Sequence, residues 1–203
     1  MTTLDAISST GYTGPVGREL VTAATEPLLT MAVIASRLRL SHTDEHADLH
    51  AFLLTATADV ESHLGRCLLP QTWRWWYDAP PSGLTLTLPE PARSVIVTTY
   101  STADVAAVLS ASDYMLDTRR SRIVVDDTAT WPPSDLRDTN ALAVEATVGY
   151  ASLAAVPTPI VQAVHLRIQG WYVRGAEPAS EGAAREAAIT RLLAPYRYRM
   201  GVA

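Results

Sequence analysis

The sequence contains no lysine: all sixteen basic residues are arginine. Without a lysine amine there is no Walker A phosphate loop, no Schiff-base nucleophile and no Ser-x-x-Lys acyl-transfer site. Cys67 is the single cysteine, so neither an intrachain disulfide nor a thiolate zinc site can form within one chain. No run approaches the ~20 consecutive apolar residues of a membrane span. The stretch MTTLDAISSTGYTGPVG lacks the basic and apolar blocks of a signal peptide. The expectation is a soluble chain, intracellular when made, with no membrane partner. G-x-S-x-G and HExxH are also missing, since Ala47 follows His46, and with them go two familiar hydrolase sites.

What is present fits a folded protein. The 203 residues are 48% apolar and 18% charged, enough for one compact domain, or one domain plus a small insert. The net charge of -5 argues against a chain held to DNA by phosphate neutralisation. Charge is unevenly placed, however. Residues 41–63 hold Asp44, Glu45, Asp48, Asp59 and Glu61 with no Arg, whereas 185–203 hold Arg185, Arg191, Arg197 and Arg199 against Glu186 alone. Ends of opposite sign suit a protein that stacks between different partners.

Residues 1–24, rich in Thr, Ser and Gly without a sustained period, read as a flexible or partner-ordered arm. A helix is predicted over Thr30–Leu40, N-capped by Thr30, with Met31, Ile34 and Leu38 on its apolar side. A second begins near Thr43, with Asp44 and Glu45 in its first turn, and stops at Gly65. Leu49, Phe52, Leu53, Ala56, Val60 and Leu64 form its apolar stripe. From Gln71 the pattern becomes β-prone, with strands predicted over Thr72–Tyr77, Leu84–Leu88, Ser94–Tyr100, Tyr114–Asp117, Arg122–Val125 and Leu142–Val148. A loop around Trp131, Pro132 and Pro133 is expected to cross this sheet. A third helix opens at Pro157 and Pro159, with Pro159 at its first helical position and Ile160, Val164, Ile168 and Trp171 buried. After a break at Gly175–Gly182 a fourth runs to about Ala194 and is ended by Pro195. The fold class is therefore α+β: a small bundle of about four helices with a β-rich insert over 71–150, helices over 30–65 and 159–194, and a tail over 195–203.

Several groups invite a chemical reading. His42, His46 and His50 lie four apart near Asp48, yet His42 precedes the helix, and a solvated acidic helix face explains the cluster. His165 has no nucleophile in a recognisable setting and reads as a core or interface histidine, and Asp126 and Asp127 read as turn residues. Trp73, Trp75, Trp76 and Tyr77 form a dense aromatic strand, with Trp73, Trp75 and Tyr77 on one face and Arg74 and Trp76 on the other. Such a strand packs in its own core and against a neighbour, so with Trp131 it is a candidate subunit or tail-side interface. The run LLAPYRYRMGVA combines Tyr and Arg, the types enriched at interface centres. Two rival readings stay open: a metal-dependent hydrolytic protein using His42, His46 and Asp48, and a single-stranded nucleic-acid binder using Trp73, Trp75 and Trp76.

One resemblance runs from about Glu26 to Arg197. Its marks are Glu26-Pro27 with the Thr30 helix leading to Leu38-Arg39, then Gly65-Arg66-Cys67-Leu68 and Pro70-Gln71-Thr72-Trp73. Further on come Pro91–Tyr100, the strand pair Tyr114 to Ile123, Val148-Gly149-Tyr150 leading to Val156-Pro157, Trp171-Tyr172, and Leu192-Leu193-Ala194-Pro195-Tyr196-Arg197. In this order and spacing they resemble the head-tail connector proteins, also called adaptors or head-completion proteins, of long-tailed bacteriophages and gene transfer agents. The resemblance implies a structural protein and not an enzyme, with no cofactor and no metal. It implies a ring, commonly of twelve subunits, seated on the portal protein, offering a platform to a stopper or tail-completion protein and passing double-stranded DNA without sequence-specific binding. It places the protein in the neck of a virion or phage-like particle. It also implies portal contact by the C-terminal element, here Arg185, Arg191, Leu192, Leu193, Pro195, Tyr196, Arg197, Tyr198 and Arg199, within a connector domain of 25–203 that follows the 1–24 arm.

Overall fold

The computed structural model describes residues 15–40, 44–80, 85–127, 129–131, 134–173 and 179–198. Among these are four α-helices, α1 (Met31–Leu38), α2 (His46–Leu64), α3 (Thr158–Tyr172) and α4 (Ala179–Leu193), in the α+β arrangement expected. The strands are β1 (Gly17–Thr22), β2 (Gln71–Tyr77), β3 (Thr85–Thr87), β4 (Ala92–Tyr100), β5 (Ala106–Val108), β6 (Tyr114–Asp117), β7 (Arg122–Val125) and β8 (Leu142–Val148). They form a five-stranded sheet in the order β1-β2-β8-β4-β5 and a three-stranded sheet in the order β3-β7-β6. The β4–β5, β3–β7 and β6–β7 pairs are antiparallel.

The chain divides into two compact units, one of residues 1–19, 74–89 and 95–145, the other of 20–73, 90–94 and 146–203. The second is helical. Its core is a single cluster in which Ile34 of α1, Leu49, Leu53, Ala56, Val60 and Leu64 of α2, Ile160, Val164 and Ile168 of α3, and Ile189 and Leu193 of α4 are buried. Each fully buried Leu or Ile contributes about 1.5–3 kcal/mol, and their spacing of three or four places them on one stripe of each helix. The first unit is β-rich and encloses Trp75, Tyr77, Leu88, Val97, Ile123, Leu142 and Val144.

Local chemistry sets most of the boundaries. The Thr30 side chain accepts the Val33 N–H, capping α1 as expected, and Gly65 ends α2 in the left-handed region at φ 66. α2 starts later than the sequence suggests: Asp44 and Glu45 sit in a turn, so its first-turn acid is Asp48. Thr43 and His42 lie outside the described residues. In α3, Thr158 takes the first position and Pro159 follows it, which costs nothing because neither amide has an intrahelical partner. α4 begins by Ala179 and includes Gly182, and Pro195 falls in a tight 3-10 turn, Ala194–Tyr196, that prolongs it. Within the 1–24 arm, Gly17–Thr22 form an ordered strand, a correction to the sequence reading, and residues 1–14 lie outside the described residues. β5 is likewise a strand that the sequence pattern does not reveal. Leu84 of the Leu84–Leu88 strand and Pro132 and Pro133 of the expected crossing loop also lie outside the described residues.

Candidate functional site

The C-terminal element is built onto the helical unit. Ile189 and Leu193 face inward from α4, with Leu193 at 0% exposure. Leu192 and Tyr196 pack against the same core as partly buried neighbours. The Tyr198 N–H then donates to the Leu64 carbonyl oxygen at 2.7 Å, returning the chain to the end of α2. A methyl group at Gly65 would lie 3.3 Å from the Tyr198 carbonyl oxygen. Leu193 thus has no surface to give a partner, a correction to its place among the docking candidates. Arg191, Pro195 and Arg197 are exposed, Tyr198 is partly buried, and Arg199 lies outside the described residues. Arg185 is partly buried against α3: a side chain at Gly170 would meet its guanidinium at 2.3 Å. Arg167 joins three helices, its Nε 2.9 Å from Asp59 Oδ2 and its Nη1 2.5 Å from each Glu186 carboxylate oxygen.

The turn leaving α2 holds residues that sequence reasoning missed. The Glu61 carboxylate accepts the Leu68 N–H at 2.6 Å, and Glu90 accepts the Cys67 N–H at 3.1 Å. Burial raises the Glu61 pKa above its ordinary value; the Leu68 N–H opposes this and the Glu90 charge adds to it. Burial also pushes the Cys67 thiol far up, aided by its hydrogen bond to Glu90 and the negative charge of Glu90 and Glu61. A thiol held protonated is a poor nucleophile and a poor metal ligand, and the hydrogen bonds of Glu61 and Glu90 organise the turn around it. The same turn explains Val148-Gly149-Tyr150. Gly149 has φ +83, a methyl there would come 2.1 Å from the Leu69 carbonyl oxygen, and the Tyr150 N–H donates to Leu68 O at 3.1 Å. Arg66 lies over the Tyr150 ring, 4.5 Å from its centroid.

The aromatic strand is β2, and its alternation follows the expected period of two. Trp75 and Tyr77 are each 1% exposed, so their burial is inside the subunit and they present nothing to a neighbour, a second correction. Trp73, Trp76 and Trp131 are partly buried. The outward pair is already engaged: Arg74 donates to Glu145 at 2.9 and 2.5 Å and to Glu19 at 3.1 Å, and its guanidinium lies 5.7 Å from the Trp76 ring centroid. Trp76 also contacts the Tyr100 ring at 5.6 Å. A face closed by Arg74 and Tyr100 leaves a poor stacking platform for a base.

His46 is partly buried and His50 exposed on α2, and among the described residues no three His, Cys, Asp or Glu side chains are placed to share a metal ion. Asp126 and Asp127 are exposed, with the Asp126 carbonyl closing a turn to Ala129 N. His165 is buried beside a cavity of about 60 Å³ lined by Ile34, Arg37, Leu38, Gln162, Ile168 and Gln169. Burial, then the Arg37 charge, lowers its pKa and holds it neutral. A cleft of about 340 Å³ beside α2 is lined by Glu26, Pro27, Leu28, Leu53 and Leu54 among others.

No protein-family model and no curated protein matches the chain. Solved structures do match it. A chain from the neck of an empty gene transfer agent (GTA) particle, computed with C6 symmetry, superimposes with a TM-score of 0.72 at 25% identity, over 92% of this chain and 98% of that one. A chain from the virion of a native gene transfer agent particle gives 0.72 at 24% identity, over 92% and 98%. A chain from the neck of a native GTA particle, computed with C12 symmetry, gives 0.65 at 24%, over 91% and 99%. The α+β fold of this chain is the fold of those chains along nearly their whole length.

Proposed function

We propose that this chain is a structural protein of the neck of a phage-like particle of the gene transfer agent kind, and that it acts there as the adaptor between portal and tail. The observation that carries the reading is the match over 98% of a GTA neck chain, a whole-length correspondence and not a shared motif. The C6 and C12 symmetries of those necks support a ring of copies, with twelve as the proposed number. In a ring, many modest contacts per subunit sum to a high avidity, so no bond need be made or broken.

Residues 25–203 act in this reading as the connector domain, and portal contact falls to the surface around Arg191, Pro195, Tyr196 and Arg197, flanked by Arg185, Leu192 and Tyr198; Arg199, also a candidate, lies outside the described residues. This surface is basic within a chain of net charge -5. Trp73 and Trp131, each partly buried, face the neighbouring subunit or the stopper or tail-completion protein, whereas Trp76 is closed over by Arg74 and Tyr100. Asp44 and Asp48, exposed at the start of α2, are candidates for a channel wall that repels DNA phosphate and lets double-stranded DNA pass without sticking.

The test reverses charge where the fold does not depend on it. The double variant Arg191→Glu, Arg197→Glu is expected to fold as the parent does and to lose addition to portal-bearing heads. Normal attachment of that variant would remove the docking role from this surface. An image of the parent chain elsewhere than the head-tail junction would remove the adaptor reading itself.

A further inference from the structure

The five-stranded sheet ends in two edges, β1 and β5, and both are open among the described residues. Every side chain of β1 is exposed, so this strand buries neither face and is held by its ladder to β2. The Val16 N–H donates to the Trp76 carbonyl oxygen at 2.8 Å. Amides alternate sides along a strand, so those of Gly17, Glu19 and Val21 point to the open edge. β5 repeats the arrangement. Thr99 stands opposite Ala107, and the Leu109 N–H donates to Val97 O at 2.8 Å, which turns the Ala106 and Val108 amides outward.

Both edges carry exposed aliphatic side chains: Val105 and Val108 are 62% and 67% exposed, and Val16, Leu20 and Val21 lie between 40% and 51%, with Arg18, Glu19 and Thr22 exposed among them on β1. Open edges are usually blunted by charged side chains, proline or a covering element. β5 carries no charge and neither strand carries a proline; the two charges of β1 are Arg18 and Glu19, and the Glu19 carboxylate is turned to Arg74. β6, an outer strand of the other sheet, keeps three of its four side chains partly buried and offers less.

We infer that β1 of one copy of this chain pairs with β5 of the next copy, continuing the five-stranded sheet from subunit to subunit. This deepens the ring reading and rests on it. A rotational ring requires a head-to-tail contact between two different patches, and two open edges of one sheet are such a pair. Strand addition draws its affinity from main-chain hydrogen bonds, so β5, though only three residues long, can receive a partner, and closure of the ring multiplies a weak contact.

Two variants test it on the full-length chain, with mass in solution read by native mass spectrometry and light scattering. Val21→Pro removes an outward amide from β1 and leaves the ladder to β2. Val108→Lys places a charge on β5 at a position that is 67% exposed. The parent is expected to form closed rings and each variant alone to be monomeric. An equimolar mixture should give one-to-one dimers and nothing larger, because each variant keeps the edge that the other has lost. If Val21→Pro fails to melt as the parent does, Val108→Lys alone decides. Rings from Val108→Lys as large as the parent's overturn the strand pairing and leave the ring reading standing, and so does a mixture without dimers. A parent that stays monomeric at every concentration overturns the pairing as a self-sufficient contact.

Discussion

Helix α4 with its tail and strand β2 are both rich in the residue types that populate interface centres, and the fold treats them differently. In β2 the period of two buries Trp75 and Tyr77 completely, and the outward Arg74 and Trp76 are tied to Glu145, Glu19 and Tyr100. In α4 the inward positions Ile189 and Leu193 close the core, and the outward Arg191 and Arg197 remain exposed to solvent. Composition therefore marks both as interfaces, but availability separates them. On β2 the outward Arg74 and Trp76 are engaged from within their own unit, whereas the end of α4 and its tail carry exposed charge.

The largest expected effect would break the comparison on the β2 side. Trp75→Ala should cost about 3–5 kcal/mol through transfer and cavity terms. Trp76→Ala should cost less: about 0.5–1.5 kcal/mol for its aromatic contact, on top of the area that a partly buried side chain loses. Urea unfolding of the two variants checks this, and equal losses would mean that the two faces of β2 are not distinct. On the α4 side, Leu193→Ala should cost about 2–5 kcal/mol, whereas Arg197→Ala should stay within about 0.5 kcal/mol of the parent. A large loss in Arg197→Ala would move that residue from docking surface to scaffold. Smaller still is the Arg167 junction. Glu186 is 56% exposed at its side chain, so a double-mutant cycle between Arg167→Met and Glu186→Gln should return a coupling of about 0.2–1 kcal/mol.

The same contrast explains what could be read from sequence. Strands β6, β7 and β8 match their predicted limits, and α2 ends where Gly65 requires, because alternation, apolar stripes and left-handed glycine leave marks in one dimension. β1 leaves none: exposed on both faces, its six residues show no alternation of apolar and polar types, and so it merges into the arm. β5 is three small residues, too short for a period. The inward turn of Leu193 in the Leu192-Leu193 pair depends on how α4 meets α3, which adjacent apolar residues do not specify. The Glu61–Glu90 group joins residues 29 positions apart and is visible only in the fold. One signal was present, since Glu61 sits in the last turn of α2, where the negative end of the helix dipole disfavours a carboxylate unless something local rewards it. That reward is the Leu68 amide, while the neighbouring Cys67 amide goes to Glu90.

The smallest expected effect is one of slope, and it sets two buried titrating groups of the helical unit against each other. The folded pKa of Glu61 lies above its ordinary 4.5, so between those values the folded chain holds more protons than the unfolded chain and stability falls as pH rises. The folded pKa of His165 lies below its ordinary 6.5, so there the unfolded chain holds more protons and stability rises with pH, in full above 6.5. Opposed slopes over neighbouring windows flatten the profile of the parent. Glu61→Gln keeps an oxygen for the Leu68 N–H and removes the falling limb, so just above pH 4.5 its urea midpoint should climb more steeply with pH than the parent's. His165→Gln removes the rising limb and should climb less steeply. A Glu61→Gln profile parallel to the parent's would show that this carboxyl titrates as an exposed one does.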